Sequence, residues 1–430
     1  MATQTSEYHT VIAVLLELTG QGKALDTCLD RHDASPLVRQ ICYGVTREYF
    51  LLEAIVQALV DKPIAKKHAD IHLLLLAGIY SIRHLHRPEY ASVDRVVASA
   101  NGQGKSWARG LINGVLRNYI RRKDQLDACV IANHEAATNH PAWLLDRIEA
   151  AWPEQVQAIT AANNSHPPMT LRVNRTQTNI LEYSRLLDAV GIEYTRGQLS
   201  ADALMLTEPT PVTELPGFED GLVSVQDEAS QLAAPLLDLH SNARVLDACA
   251  APGGKTCHML ELQPDIDLLA IDADETRAGQ ISSGLSRLGL DCAVRTQDLL
   301  QFASEDSNFD RILLDVPCSA TGIIRRHPDI KLLRRDTDID KLSANQLVLL
   351  EQAWQLLGEN GILLYSTCSI LPEENDAVIS AFVSERADVE LLSVDVSRGL
   401  PTTMGRQLLP ETGGWDGFFY AKIRKMRSDR

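Results

Sequence analysis

From about residue 8 to about residue 130 apolar positions recur at three- and four-residue spacing, the period of amphipathic helices. Thr10-Val-Ile-Ala-Val-Leu-Leu-Glu-Leu, Phe50-Leu-Leu-Glu-Ala-Ile-Val-Gln-Ala-Leu-Val and Ile71-His-Leu-Leu-Leu-Leu-Ala-Gly-Ile-Tyr-Ser-Ile carry it most plainly. Pro63, Pro88 and Gly102-Gln-Gly104 break the runs, so residues 1–130 read as an all-helical domain. Within Ala108-Arg-Gly-Leu-Ile-Asn-Gly-Val-Leu-Arg117 the spacing turns Leu111 and Leu116 inward and leaves Arg109 and Arg117 to solvent.

Between 131 and 225 the pattern is mixed. Helices are predicted around Ala142-Trp-Leu-Leu-Asp-Arg-Ile-Glu and Gln155-Val-Gln-Ala-Ile, and from Ile180 to Val190. Met169-Thr-Leu-Arg-Val-Asn174 alternates as a strand, with Met169, Leu171 and Val173 on one face and Thr170 and Arg172 on the other. This is a small α+β segment. A further helix start is expected at Ser224-Val-Gln-Asp-Glu-Ala-Ser, with Gln226 or Asp227 near its cap.

Residues 226–430 form the third part, where strands and helices alternate. Strands are predicted at 244–249, 267–273, 291–296, 309–316, 361–367, 389–394 and 417–423, with helices at 276–288, 343–357 and 373–384 among the connections. The expectation is an α/β, doubly wound, mainly parallel sheet of Rossmann type, with an antiparallel pair at one edge where the last two strands are joined by a loop.

Composition narrows the class. Of 430 residues 45% are hydrophobic and 23% charged, and no uncharged apolar run reaches the roughly 18 residues of a membrane span. The first ten residues lack the basic start and apolar stretch of a secretory signal, so a cytoplasmic, thiol-reducing setting is expected. Cysteines stand at 28, 42, 129, 249, 257, 292, 318 and 368 without a Cys-x-x-Cys pair, which argues against a disulfide framework or a metal site. Net charge is −16, unfavourable for a nucleic-acid partner taken as a sum. Phosphate responds to local field, however, and Lys105, Arg109, Arg117, Arg121, Arg122 and Lys123 lie in a stretch without acids. Arg325-Arg326 to Arg334-Arg335 is a second basic stretch. By default such runs are solvated faces.

The candidate chemistry gathers at the carboxyl ends of the predicted strands, where doubly wound sheets hold ligands. Cys249-Ala250-Ala251-Pro252-Gly253-Gly254-Lys255 follows the first strand, and its small residues allow backbone N–H groups close to a ligand. The turn lacks Gly-x-Gly-x-x-Gly, and a phosphate loop would need glycine at position 249, so nicotinamide and nucleotide-triphosphate sites are weakly supported. Asp272, after the second strand, is placed for a ribose diol, whereas Asp274 fits the cap of the next helix. Asp298, after the third strand, is placed for an adenine amino group. Cys318, in Asp315-Val316-Pro317-Cys318-Ser319, and Cys368, in Ser366-Thr367-Cys368-Ser369, both follow strands. Either could be a small buried hydrophobe. Together, beside a cofactor turn, they suit methylation at cytosine C5, which requires a thiolate to add at C6. Spacing does not say which thiol attacks. Asp315 is placed to hydrogen-bond the N3 and N4 edge of the base.

Asp247 to Lys255, Asp315-Val-Pro-Cys-Ser-Ala-Thr-Gly-Ile-Ile-Arg-Arg-His-Pro-Asp-Ile-Lys331, Tyr365-Ser-Thr-Cys-Ser369 and Asp416-Gly-Phe-Phe-Tyr-Ala-Lys422 resemble the RNA cytosine-5 methyltransferase family, in particular its bacterial branch acting on small-subunit ribosomal RNA. Ile41-Cys-Tyr-Gly-Val-Thr-Arg47 and Gly110-Leu-Ile-Asn-Gly-Val-Leu-Arg117 are similar to the NusB-like RNA-binding domain that this branch carries. The resemblance implies S-adenosylmethionine at Cys249 to Lys255, with Asp272, Asp298 and Asp315 completing the pocket, Cys368 as nucleophile and Cys318 assisting product release. It further implies 16S ribosomal RNA as substrate, at the cytosine numbered 967 in the family, free or in an assembling small subunit. DNA cytosine methyltransferases attack with the cysteine of a Pro-Cys motif, which makes Cys318 the alternative nucleophile, but the chain shows no DNA target-recognition domain. A non-catalytic RNA-binding assembly factor is the rival from another class, and the two cysteines and the cofactor turn speak against it.

Overall fold

A serine, a proline and an apolar stripe start the helix Pro36–Arg47 in the computed structural model, which describes residues 2–102, 105–302 and 308–427. Ser35 accepts a hydrogen bond from the Val38 N–H, Pro36 fills the first helical position, and Val38, Ile41, Cys42 and Val45 are buried at helical spacing. The same logic builds the helices Ala2–Gln21, Leu25–Arg31, Tyr49–Leu59, Ala69–His84, Glu89–Gly102 and Arg109–Val130. Ala69–His84 is apolar almost all round and is buried from Leu73 to Ile82, so the others pack about it. Leu116 is buried as expected, but Leu111 is exposed, because the stripe facing the core is carried by Ile112, Val115, Leu116 and Tyr119.

By packing, the chain divides into Met1–Ser165 with Ile324–Asp336, and His166–Ile323 with Thr337–Arg430. The helices Ala142–Ala151 and Val156–Asn164, anticipated within the middle segment, thus belong to the first unit. So does the whole second basic stretch, and for its members Arg325 and Lys331 the expectation of a solvated run is corrected, while Arg335 is exposed. Arg325 and Lys331 are buried; Arg47 donates to the Arg325 carbonyl at 2.9 Å, and the Lys331 ammonium donates to the Arg47 carbonyl at 2.7 Å and Asn164 Oδ1 at 3.0 Å. Asp329 accepts the Leu25 N–H at 3.0 Å. The Lys331 ammonium is thus spent on buried protein acceptors.

In the second unit a small antiparallel sheet comprises β1 (Met169–Val173), β2 (Tyr194–Arg196), β3 (Ala203–Leu206) and β4 (Val223–Val225), in the order β2-β3-β1-β4. The helix Ile180–Val190 packs Tyr183 and Leu187 with Leu171, Val173 and Leu204, capped by Asn179 at its start and by Gly191 at its end. Arg172 is buried rather than solvated. Its guanidinium meets Glu261 at 2.6 Å and the Gly254 carbonyl at 2.8 Å, tying β1 to the helix Gly254–Leu262. The helix expected from Ser224 is instead β4, an Asp227 turn accepting the Ala229 N–H, and two short helical turns, Ser230–Leu232 and Ala233–Leu236.

The large sheet comprises β5 (Arg244–Ala248), β6 (Asp267–Asp272), β7 (Ala293–Thr296), β8 (Phe309–Asp315), β9 (Leu357–Thr367), β10 (Val389–Leu392), β11 (Leu400–Pro401), β12 (Arg406–Leu408) and β13 (Phe418–Lys425). Its order is β11-β12-β13-β9-β8-β5-β6-β7, with β10 also pairing β13. From β9 to β7 the strands are parallel, and β13 is antiparallel to β9 and to β10. Successive residues of one strand serve opposite faces: Val245, Leu313 and Leu364 enter one apolar layer, Leu246, Ile312 and Leu363 the other. The chain runs from β5 to β6 and β7 on one side, then returns to β8 and β9 on the other, so the crevice at the carboxyl end of β5 is a topological switch point. No helix among the described residues is long and apolar enough to cross a membrane.

Candidate functional site

At that switch point β5 ends in a turn shaped for close approach. Cys249 takes a left-handed conformation (φ 63°) and Gly253 another (φ 96°), and a Cβ on Gly253 would lie 3.0 Å from the Ile281 Cα. The Ala251 N–H donates to Asp272 Oδ2 at 3.1 Å, and the Asp274 N–H to Asp272 Oδ1 at 3.1 Å. The carboxylate at the end of β6 thereby holds the turn after β5. Asp274 caps the helix Glu275–Leu288, as its position suggested.

Beneath the turn lies Asp247, buried, with Oδ2 accepting the Thr256 hydroxyl at 2.6 Å and Oδ1 meeting no donor. Burial pushes its pKa up to about 7, against the Thr256 hydrogen bond and with help from the Asp315 charge. Cys249 is pushed up to about 12 by burial, then by Asp315 and Asp272, so it stays a thiol and serves the turn as a small apolar side chain.

The register of β8 against β9 brings the two thiols together. Asp315 stands opposite Ser366, so Cys318 and Cys368, three and two residues further on, leave the sheet side by side with their sulfurs 3.4 Å apart. The Gly322 N–H donates to the Cys368 carbonyl at 2.8 Å, closing the loop after Cys318. A Cβ at Gly322 would sit 2.3 Å from the Gly417 oxygen, which explains glycine there. The hydrogen bond to Cys368, burial and the negative charge of Cys368 and Glu374 hold Cys318 well above the usual thiol range. Either sulfur can donate the hydrogen bond between them, and Cys368 is the more accessible of the two cysteines.

Lys255 donates to Asp315 Oδ2 at 2.6 Å and lies over the Phe418 ring, while the Ser366 hydroxyl donates to Asp315 Oδ1 at 2.5 Å. Burial opposes the charge on Lys255, yet the Asp315 carboxylate and, more weakly, Cys368 hold its pKa above the ordinary value. The structure thus joins Cys249 to Lys255, Asp272, Asp315, Cys318 and Cys368 around one crevice. Asp298 stands at the edge, its carboxylate accepting the Leu300 N–H and capping a short turn after β7.

One residue of the site escaped sequence reasoning. Glu374, fully buried, accepts the Ser319 N–H at 2.8 Å and the Gln346 amide at 3.0 Å on Oε1, and the Ser319 and Ser369 hydroxyls at 2.5 and 2.6 Å on Oε2. Ser319 follows Cys318 and Ser369 follows Cys368, so a single carboxylate clamps both thiol loops. The helix was expected from Glu373, which made Glu374 an ordinary first-turn acid; the helix begins at Asp376. The readable signal was an acid pair that follows Ser366-Thr-Cys-Ser369 after Ile370-Leu-Pro372.

S-adenosylmethionine fits the residues present. Asp247 Oδ1 is buried without a donor, and each Asp272 oxygen keeps a second lone pair beside its main-chain bond. Among the described residues no group of His, Cys, Asp and Glu is arranged to hold a metal ion.

Comparisons with known proteins agree with this arrangement. Residues 234–424 match the family described as 16S rRNA methyltransferase RsmB/F, residues 140–213 its ferredoxin-like domain, and residues 9–121 the NusB family. The chain is 43% identical over 424 residues to ribosomal RNA small subunit methyltransferase B of Pseudomonas syringae pv. tomato, covering 96% of this chain and 95% of that protein. The protein of the same name from Vibrio cholerae is 45% identical over 391 residues, covering 90% and 89%. The solved structure of PH0851 shares the fold, with a TM-score of 0.79, 23% identity, and coverage of 98% and 99%.

Proposed function

We propose that this chain, which belongs to the 16S rRNA methyltransferase RsmB/F family, methylates C5 of a cytosine in 16S ribosomal RNA through a covalent bond between Cys368 and C6 of the base. The carrying observation is the 3.4 Å pair of sulfurs beside the turn after β5. S-adenosylmethionine, when bound there, supplies an electrophilic methyl group. Cys249 to Lys255 would line its binding site, with Asp272 on the ribose and Asp298 toward the adenine.

In this reading Cys368 adds to C6 as thiolate, and the electron pair of the C5–C6 double bond becomes available at C5 for the methyl group. Asp315, held by Lys255 and Ser366, faces the N3 and N4 edge and accepts hydrogen bonds from the ring that is protonated at N3 in the adduct. After transfer a solvent water takes the C5 proton, the C5–H electron pair re-forms the C5–C6 double bond, and the C6–S bond breaks to release the Cys368 thiolate. Cys318 assists that last stage, since a proton-bearing thiol 3.4 Å away steadies the departing thiolate by hydrogen bonding. The target base must leave its stack to reach the sulfurs, at a cost of a few kcal/mol that is least for an unpaired base. Cytosine 967 is the position the family resemblance favours.

Bisulfite sequencing of ribosomal RNA from cells with and without the chain tests the proposal. One 5-methylcytosine in 16S RNA is expected to vanish with the protein. An unchanged pattern would overturn the reading.

A further inference from the structure

We propose that Trp107, packed at a tilt against His68, is a platform for an unpaired nucleobase of single-stranded RNA; this rests on the reading that the substrate is RNA. Large aromatic rings are normally spent on burial, yet Trp107 is 57% exposed. Its ring centroid lies 4.8 Å from that of His68, with the planes tilted by 58°.

The two rings sit on short helical turns, Lys66–His68 and Ser106–Ala108, that lead into the helices Ala69–His84 and Arg109–Val130. An ion pair between Lys105 and Asp70, 3.1 Å apart, ties the two turns and so fixes the platform. It also neutralises the nearest acid of those turns.

Cations flank the rings. Lys66 and Lys67 are exposed just before His68, and Arg109, Arg117 and Arg121 are exposed along the helix after Trp107, whose first acid is Asp124. From Arg109 to Arg121 the helix spans about 18 Å, a track for several nucleotides. An exposed aromatic face among cations suits stacking plus phosphate contact, which favours single strands over duplexes whose bases are already stacked.

The test uses the full chain and a labelled oligouridine of about ten nucleotides, with affinity measured across a salt series. Trp107→Ala is expected to bind about tenfold more weakly with an unchanged salt slope, because stacking releases no counterions. Trp107→Phe should restore most of the affinity, which separates stacking from damage to the fold. Arg109→Gln with Arg117→Gln and Arg121→Gln should instead flatten the slope by roughly two to three units. If wild type binds and Trp107→Ala matches it, the platform is overturned and the exposed ring is left to a protein partner. If wild type binds no RNA, the parent reading falls and the platform with it. If wild type methylates RNA while Trp107→Ala and Trp107→Phe are equally impaired, stacking is overturned and the methyltransferase reading stands.

Discussion

The sulfurs of Cys318 and Cys368 lie 3.4 Å apart although 50 residues separate them in the chain, because β8 and β9 are parallel neighbours with Asp315 opposite Ser366. Two thiols at that distance cannot easily both ionise, and the proposed mechanism gives them different tasks. Cys368→Ala is expected to form neither adduct nor product, whereas Cys318→Ala should methylate but release slowly, accumulating an RNA adduct. Denaturing electrophoresis of each variant with S-adenosylmethionine and labelled 16S RNA reads both. An adduct from Cys368→Ala with none from Cys318→Ala would exchange the roles.

Glu374 offers a graded test of how the thiol loops are held. Two of its donors, the Ser319 N–H and the Gln346 amide, are fixed, and two, the Ser319 and Ser369 hydroxyls, can rotate. Glu374→Gln can keep its carbonyl on the fixed pair and turn its amide to the hydroxyls, so it should be mild. Glu374→Ala leaves buried donors unpaired, at a cost of about 3 kcal/mol, and should lower kcat about 100-fold with little change in KM for the RNA. Equal kcat in wild type and Glu374→Ala would show that the clamp does not set the thiol geometry.

Asp272 joins the turn after β5 to the end of β6 through two main-chain hydrogen bonds. If its remaining lone pairs take the ribose diol, Asp272→Ala should weaken S-adenosylmethionine binding at least about tenfold. Calorimetry on a variant with unaltered circular dichroism decides. Undiminished affinity in the folded protein would remove Asp272 from the cofactor site.

Asp247 predicts a pH dependence of stability. Its pKa in the fold, about 7, lies above the unfolded value, so the native state holds the extra proton between roughly pH 4 and 7. Below about pH 4 both states are protonated and burial brings no charge penalty; as pH rises through 7 the native state must bury a carboxylate, and stability falls. Asp247→Asn escapes this penalty. Its unfolding free energy should exceed that of wild type by a few kcal/mol at pH 8, and the gap should close as pH approaches 4. A gap independent of pH in denaturant titrations would contradict the origin of the shift.

Much of the site was legible because its signals are local. The period of apolar residues distinguishes the helical first part from the alternating strands and helices after residue 241, and the small residues from Cys249 to Gly254 announce a turn that tolerates close approach. Asp272, Asp315, Cys318 and Cys368 stand where strands end, so their nearness to one crevice follows from the way parallel sheets are built. Tertiary structure alone decided the rest. Glu374 is a clamp because Ser319 and Ser369 arrive from two different loops, and no local pattern records that meeting. Lys331 lies in a basic run that reads as a solvated face, and it is buried because distant partners, the Arg47 carbonyl and Asn164, satisfy its ammonium. Leu111 looked buried by spacing and is exposed, since periodicity leaves the phase of a helix open by about one residue until its neighbours choose a face. The sequence determines which segments form and which chemistry they carry to the strand ends; the pairing of distant segments determines which of those groups touch, because contact across a sheet depends on register that no single segment encodes.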